Sequence, residues 1–180
     1  MQKLKPVVLR HKLPTNKEKA ALVHHPIYLI LDGVMDTYNI GSLFRLADAT
    51  GVSKMYICGG VEYPPNSRIH KAAVGTENWV VWEKRDTALE VVSELKKQGV
   101  QIVAVEQDPR ATSYLLLSTQ LQLPTAIVVG HETNGVSRKV LDAADMIVEL
   151  PMYGINNSLN VWGSAAVVLY KILELLWGGI

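Results

Sequence analysis

Three polar clusters in the sequence have side chains that could act together in a reaction. The stretch "YNIGSLFR" contains Asn39 and Arg45, "GHETNG" contains Glu132, and "PMYGINNSLN" contains Ser158 and Asn160. A guanidinium can hold a phosphate through two hydrogen bonds, while amides, hydroxyls and a carboxylate can orient a ligand and stabilise charge that develops in a reaction. The clusters predict one reactive polar site if the fold brings them together.

The segments around these clusters predict an α/β fold. Five short runs are rich in branched residues and apolar on both faces, which is typical of buried strands: "IYLILDG", "KMYICGG", "VQIVAVE", "TAIVVGH" and "MIVELPM". Helical signals lie between them. Thr87 and Glu90 have capping-box spacing, Gly99 marks the end of that helix, and Ser137 can cap "RKVLDAAD". The longest helical pattern is "SLNVWGSAAVVLYKILELL".

Alternating strands and helices predict a mostly parallel sheet with helices on both faces. Ligands bind such sheets at the carboxyl ends of the strands, and each polar cluster follows one of the predicted strands. Three clusters at one edge therefore favour a single site over three unrelated structural roles.

Each cluster also has a simpler structural interpretation. Glu132 could be a solvated residue in a strand-to-helix turn, and either Asn157 or Ser158 could be the N-cap of the last helix, with Asn160 inside its first turn. The stretch "GHETNGVS" lacks the lysine of a phosphate-binding loop, and no dinucleotide-binding glycine pattern follows a strand. These two absences argue against a nucleoside triphosphatase and a dinucleotide-binding enzyme.

Length and composition predict an ordinary single domain. The chain has 180 residues and a net charge of +1, but residues 1–25 hold six basic residues against one acidic residue. We therefore expect a basic N-terminal arm at 1–25 and one domain at 26–180, and the arm could either contact phosphates or be a solvated terminus. The single cysteine, Cys58, excludes an internal disulfide, and the five histidines have no metal-ligand spacing. We expect no metal, no export, no membrane span and a cytoplasmic location.

Four segments resemble a known family in order and spacing. The family is the SPOUT superfamily, specifically the SpoU/TrmH-type RNA ribose 2′-O-methyltransferases, and the resemblance covers residues 27–176. Its three signature motifs and its intermediate segment are similar to "NIGSLFRLADATGV", "AIVVGHETNGVS", "LPMYGINNSLNVWGSAAVVLYKI" and "RIHKAAVGTENW". The resemblance implies methylation of a ribose 2′-hydroxyl in structured RNA with S-adenosyl-L-methionine as cofactor. It also implies a homodimer and a C-terminal deep trefoil knot that binds the cofactor.

Two points of function stay open within that resemblance. Transfer RNA is favoured over ribosomal RNA as the substrate, because the chain is small. The alternative to an enzyme is a catalytically lapsed, knotted RNA-binding protein, in which Trp162 intrudes on the cofactor pocket where relatives often have a small residue. His131, Thr133 and Asn134 also depart from the commoner loop of the family.

The resemblance assigns roles to individual residues. The catalytic set is Asn39, Arg45, Glu132, Ser158 and Asn160. The cofactor-binding set is Val129, Gly130, His131, Glu132, Leu150, Met152, Ser158, Leu159 and Asn160. The RNA-binding set is Arg10, Lys12, Arg45, Arg68 and Lys71. We further expect Asn39 to orient Arg45 or the ribose, and Gly41 to let the backbone approach the nucleotide closely.

Overall fold

Seven strands and seven α-helices make up the computed structural model, which describes residues 13–178. The strands are β1 (His25–Asp32), β2 (Val52–Cys58), β3 (Trp82–Arg85), β4 (Gln101–Val105), β5 (Thr112–Ser113), β6 (Thr125–Gly130) and β7 (Met146–Glu149). The helices are α1 (Asn16–Ala20), α2 (Thr37–Ala49), α3 (Ser67–Ala73), α4 (Ala88–Lys97), α5 (Leu117–Gln120), α6 (Arg138–Ala143) and α7 (Val161–Trp177). Two short 3-10 turns lie at Thr76–Asn78 and Tyr114–Leu116.

The strands form one parallel sheet in the order β3-β2-β1-β6-β4-β7-β5. At the centre, Asp32 at the end of β1 pairs with Cys58 of β2 and with Gly130 of β6. The loops that follow these strands therefore leave the sheet at the same edge. The parallel α/β architecture predicted from the sequence is confirmed.

Helices cover both faces of the sheet because the strands are apolar on both faces. Leu29 and Leu31 of β1 point into a core shared with α2, α3 and α7, whereas Ile30 between them points into a second core with α4 and α6. All three side chains are fully buried. None of the described helices is long and apolar enough to cross a membrane.

The sequence prediction missed two strands and misplaced the start of the last helix. Strands β3 and β5 are short and lie at the two edges of the sheet, where the apolar pattern of a central strand is absent. Helix α7 begins at Val161, and its N-cap is Asn160, whose Oδ1 accepts a hydrogen bond from the Trp162 N–H at 3.0 Å. The prediction of a cap at Asn157 or Ser158 was therefore wrong.

The predicted helix ends elsewhere are largely confirmed. Thr87 caps α4 by accepting a hydrogen bond from the Glu90 N–H at 3.3 Å, and Gly99 follows that helix with a positive φ of 79°. Ser137 is the N-cap residue of α6, but its side chain makes no cap bond. Its N–H instead donates to Asp32 Oδ2 at 2.8 Å, which fixes the start of α6 to the end of β1.

Gly41 serves the packing of two helices. A Cβ at this position would lie 2.6 Å from both Ala72 Cβ and Ile69 O, so α2 and α3 can cross this closely only at glycine. Gly41 is itself buried. The expectation that Gly41 brings the backbone close to a nucleotide was therefore wrong.

Candidate functional site

A pocket of about 520 Å³ lies at the carboxyl edge of the sheet. The loops after β4, β6 and β7 form its walls, together with the start of α7. All nine residues that the sequence predicted for cofactor binding line it: Val129, Gly130, His131, Glu132, Leu150, Met152, Ser158, Leu159 and Asn160. Its volume lies in the range of about 300–1,000 Å³ that is usual for small-molecule sites.

The carboxylate of Glu132 connects the loop after β6 to the start of α2. It accepts hydrogen bonds from the backbone N–H of Met35 at 3.1 Å, from that of Asp36 at 2.9 Å and from Asn39 Nδ2 at 2.9 Å. Partial burial of Glu132 raises its pKa, but the hydrogen bonds from Asn39 and the backbone outweigh this effect and lower the pKa overall. Glu132 is therefore a fixed, negatively charged anchor at neutral pH.

Asn39 continues this chain of hydrogen bonds to the last helix. Its side chain is only 5% exposed, and its Oδ1 accepts a hydrogen bond from Asn160 Nδ2 at 3.0 Å. Asn160 in turn caps α7 through Trp162 N–H. All three polar clusters are thereby joined, while the Asn39 amide bonds to Glu132 and Asn160 and makes no hydrogen bond to Arg45.

The turn at residues 131–135 is shaped by its glycines. His131 and Gly135 exchange two backbone hydrogen bonds, of 3.1 and 2.8 Å. A Cβ on Gly130 would lie 2.1 Å from the Gly135 carbonyl carbon, and Gly135 has a positive φ of 67°. His131 Nδ1 accepts from the Thr133 N–H at 3.0 Å, so the histidine in this loop stabilises the turn itself.

Glu106 and Gln107 belong to the pocket although the sequence interpretation left them out. Glu106 Oε2 accepts from the Val136 N–H at 2.7 Å, and Gln107 Nε2 donates to the Asn157 carbonyl at 2.7 Å. Both residues directly follow the buried strand β4 at the same sheet edge as the other clusters. Their position after "VQIVAV" was the signal that could have found them.

The other predicted catalytic residues, Ser158 and Arg45, stand apart from the Asn39 chain. Ser158 lines the pocket and, among the described residues, hydrogen bonds only to Asn156 Oδ1, through its N–H at 3.2 Å and its hydroxyl at 3.0 Å. Arg45 is exposed on α2, and its side chain makes no hydrogen bond or ion pair within residues 13–178. It lies four residues after Gly41, so it emerges on the side of α2 that faces α3.

The comparison with protein families agrees with the motif positions. Residues 26–170 match the sequence model of the SpoU rRNA Methylase family. The chain belongs to this family. The match includes the loops around the pocket and all of helix α2.

Relatives and solved structures extend this family assignment. The chain is 35% identical over 162 residues to a Staphylococcus aureus (strain COL) protein assigned to the TrmH family of tRNA/rRNA methyltransferases, covering 90% of this chain and 63% of that protein. It is 34% identical over 150 residues to the 23S rRNA (guanosine-2′-O-)-methyltransferase RlmB of Nitrosomonas europaea, covering 83% and 56%. The chain thus spans about three fifths of the length of these two relatives.

A solved structure shares the fold. The AdoMet-bound rRNA methyltransferase from Sinorhizobium meliloti superposes with a TM-score of 0.76 at 23% identity, over 86% of this chain and 58% of that chain. At this identity the likeness shows the fold alone.

Trp162 and the described cations predicted to bind RNA lie on the surface outside the pocket. Trp162 is 44% exposed and is not among the pocket-lining residues, so it does not fill the pocket as the lapsed-site alternative required. Arg68 and Lys71 are exposed on α3, whereas Arg10 and Lys12 lie outside the described residues. No three His, Cys, Asp or Glu side chains are grouped to hold a metal ion within residues 13–178.

Proposed function

We propose that the protein methylates a ribose 2′-hydroxyl in structured RNA and uses S-adenosyl-L-methionine as the methyl donor. The observation that carries this proposal is the hydrogen-bond chain Glu132–Asn39–Asn160, which joins the three motif segments beside one pocket. Membership of the SpoU family and the 2′-O-methyltransferase relative support the reaction type. Transfer RNA is the favoured substrate, and the cytoplasm the favoured location.

The lining of the pocket fits this cofactor. S-adenosylmethionine carries a sulfonium, an ammonium, a carboxylate and an adenine ring, so it requires apolar walls together with hydrogen-bond acceptors. Leu150 and Met152 provide apolar surface, and the carboxylates of Glu106 and Glu132 make the pocket favourable for positive charge. When bound, the cofactor supplies a methyl group on a positively charged sulfur.

The C-terminal segment is proposed to form the trefoil knot of the family. Residues 151–160 leave β7 and contact Gln107 after β4 and then Asn39 after β1. In the sheet, β4 and β6 lie between β7 and β1. The segment therefore crosses the ends of two strands before α7 begins, as a threaded chain would.

The residues of this chain have separate roles in the proposed reaction. Methyl transfer places a C–O bond on the ribose oxygen, breaks the C–S bond and releases the hydroxyl proton. Arg45 is proposed to hold a phosphate beside the target ribose and to stabilise negative charge on its oxygen. An arginine stays protonated in proteins, so the proton is proposed to pass to a substrate phosphate or to water. Ser158 lies on the pocket wall, where its hydroxyl can orient bound groups.

A homodimer is proposed as the working form. Helix α7 carries exposed apolar side chains in addition to those it buries in the core, namely Trp162, Val167, Tyr170 and Trp177. A second copy could cover this surface, as closed two-fold dimers do with matching apolar patches. The arm at 1–25, with Arg68 and Lys71, is proposed to contact RNA phosphates.

The test separates cofactor binding from methyl transfer by replacing Arg45 with alanine. Cofactor affinity measured by calorimetry should stay within about twofold of wild type, because Arg45 does not line the pocket. Single-turnover methylation should slow by about a hundredfold to a thousandfold, the usual cost of removing one preorganised electrostatic stabiliser. Arg45→Lys should recover little, since an ammonium cannot make the same planar two-point contact.

Each failure would have a distinct meaning. Near-normal methylation by Arg45→Ala, or loss of its cofactor binding, would contradict the role given to Arg45. A wild-type protein that binds RNA but no S-adenosylmethionine would contradict the enzyme and favour the lapsed RNA-binding protein.

A further inference from the structure

A second pocket of about 580 Å³ lies away from the cofactor pocket and shares none of its lining residues. It is bounded by the start of α3, the turn Thr76–Asn78 and the edge strand β3. Its walls include the rings of Pro64, Pro65 and Trp82. Nothing in the proposed methyl transfer uses this pocket.

Glu77 lies in this pocket with an unsatisfied oxygen. Its side chain is 7% exposed, and Oε1 lies 2.5 Å from His70 Nδ1 and accepts from Asn78 Nδ2 at 3.2 Å. Oε2 is the only buried side-chain nitrogen or oxygen in residues 13–178 that has no hydrogen-bond partner. A buried polar group without a hydrogen-bond partner is unfavourable, so we expect a donor to reach Glu77 Oε2 in the working protein.

The chemistry around the pocket selects the kind of donor. Arg68 and Lys71 are exposed next to lining residues, and Lys84 lies with its Nζ 4.3 Å from the centre of the Tyr63 ring, next to Pro64. These cations disfavour a positively charged ligand and favour one that carries phosphate. The Trp82 ring offers a flat surface on which a base can stack.

We propose that this pocket binds an unpaired guanine base of the RNA substrate. The proposal rests on the proposed function only in taking RNA as the partner. Guanine presents a ring N–H and an adjacent amino group on one edge, and both can donate to Glu77 Oε2 and to Asn78 Oδ1, which has no donor within residues 13–178. Adenine offers only the amino group, and uracil only the ring N–H.

Glu77 Oε2 is buried at the pocket wall, so a base can reach it only if a neighbouring side chain moves. Within residues 13–178, the side chains that hydrogen bond to Glu77 are those of His70, which is 64% exposed, and Asn78, which is also exposed. His70 can rotate toward solvent when a base enters, while Asn78 stays in place to accept from guanine. The guanine site would then hold an RNA strand along α3, the helix that packs against the one carrying Arg45.

The experiment is an NMR titration of the full chain with guanosine 5′-monophosphate, observed at the indole N–H of Trp82. Inosine and adenosine 5′-monophosphates are the matched ligands, because inosine lacks only the amino group of guanine. The amino group of guanine adds one hydrogen bond that inosine cannot make, so the guanine ligand should bind roughly tenfold or more tightly than the inosine ligand. This comparison uses the wild-type protein and does not depend on the folding of any variant.

Two variants then test whether the carboxylate of Glu77 causes the preference for guanosine over inosine ligands. Glu77→Gln should remove most of the difference between guanosine and inosine ligands, since an amide group replaces the free acceptor by a mixed donor and acceptor. Glu62→Gln is the matched control. Glu62 is exposed, bonds Asn66 from the same loop, and does not line the pocket, so this variant should keep the preference.

Three outcomes would overturn the proposal. Equal affinity for guanosine and inosine ligands would show that the pocket does not recognise the amino group of guanine. A Trp82 shift with N-acetyl-arginine amide and none with nucleotides would indicate a peptide site, and no shift with any ligand would indicate that water satisfies Glu77. Calorimetry with S-adenosylmethionine is independent of these results, so failure of the methyltransferase proposal would be seen separately.

Discussion

Replacing Asn39 by alanine should detach the start of α7 from the loop after β6. Asn39 is nearly fully buried and uses both ends of its amide, donating to Glu132 at 2.9 Å and accepting from Asn160 at 3.0 Å. Alanine leaves Asn160 Nδ2 without its partner and takes one donor from Glu132. The two segments on either side of the pocket then lose their direct connection.

The expected loss of stability follows from these two bonds. A hydrogen bond to a charged group contributes about 1.5–3 kcal/mol and a neutral one about 0.5–1.5 kcal/mol. Glu132 keeps hydrogen bonds from the backbone N–H groups of Met35 and Asp36. We therefore take the lower end of the range for its lost hydrogen bond from Asn39. Alanine also favours the helix by about 0.5 kcal/mol relative to asparagine. We expect a net destabilisation of about 2 kcal/mol.

Two assays on the same protein test this reasoning. Urea unfolding should give the loss of about 2 kcal/mol, and calorimetry should show S-adenosylmethionine affinity reduced about tenfold or more, because residues 151–160 wall the pocket and are held through Asn160. Thr87→Ala is the control, since it removes one cap bond from α4 away from the pocket and costs about 1 kcal/mol. If Asn39→Ala lost stability but bound the cofactor normally, the hydrogen-bond chain would have no part in holding the pocket.

Two further predictions follow from particular contacts. Gly41→Ala should destabilise the protein by about 1–3 kcal/mol in urea unfolding, because its Cβ would lie 2.6 Å from α3. Gly163→Ala is the control and should be neutral or stabilising, because a Cβ there would have no neighbour closer than 3.6 Å. Equal effects of the two substitutions would contradict the packing role of Gly41. Because the pKa of Glu132 is lowered on folding, its stabilisation is present above its ordinary value of 4.5 and is lost as pH falls through the folded value. Cofactor affinity should therefore fall in that acid range in wild type and change less in Glu132→Gln; identical pH profiles would refute the anchor role of this carboxylate.

The sequence predicted the central strands because they are strongly apolar, and it failed where that signal is absent. Strand β3 reads "WEKR" and β5 has two residues, so neither carries the pattern of a buried strand. Both form only because a neighbouring strand supplies the hydrogen bonds at the sheet edge. Such tertiary pairing is not encoded in local periodicity.

The location of the site could be predicted from the sequence, but the hydrogen bonds within it could not. Polar clusters after buried strands indicated the carboxyl edge of the sheet, where the pocket lies. The bonds of Asn39 to Glu132 and Asn160 span 93 and 121 residues in sequence, and no local pattern reports such partners. Three asparagines also stand close together before α7, so spacing alone did not identify Asn160 as its cap.

Helix α2 explains why an amide, a glycine and an arginine occur together in one short stretch. Each residue advances about 100° around an α-helix, so Asn39 and Arg45, six residues apart, point about 120° away from each other. Asn39 faces the loops around the pocket, whereas Gly41 and Arg45, four residues apart, share the side that faces α3. Because one rigid helix carries both sides, the position of the exposed cation is fixed relative to the pocket although the two make no contact. Close packing at Gly41 therefore holds α3 against the side of α2 from which Arg45 emerges.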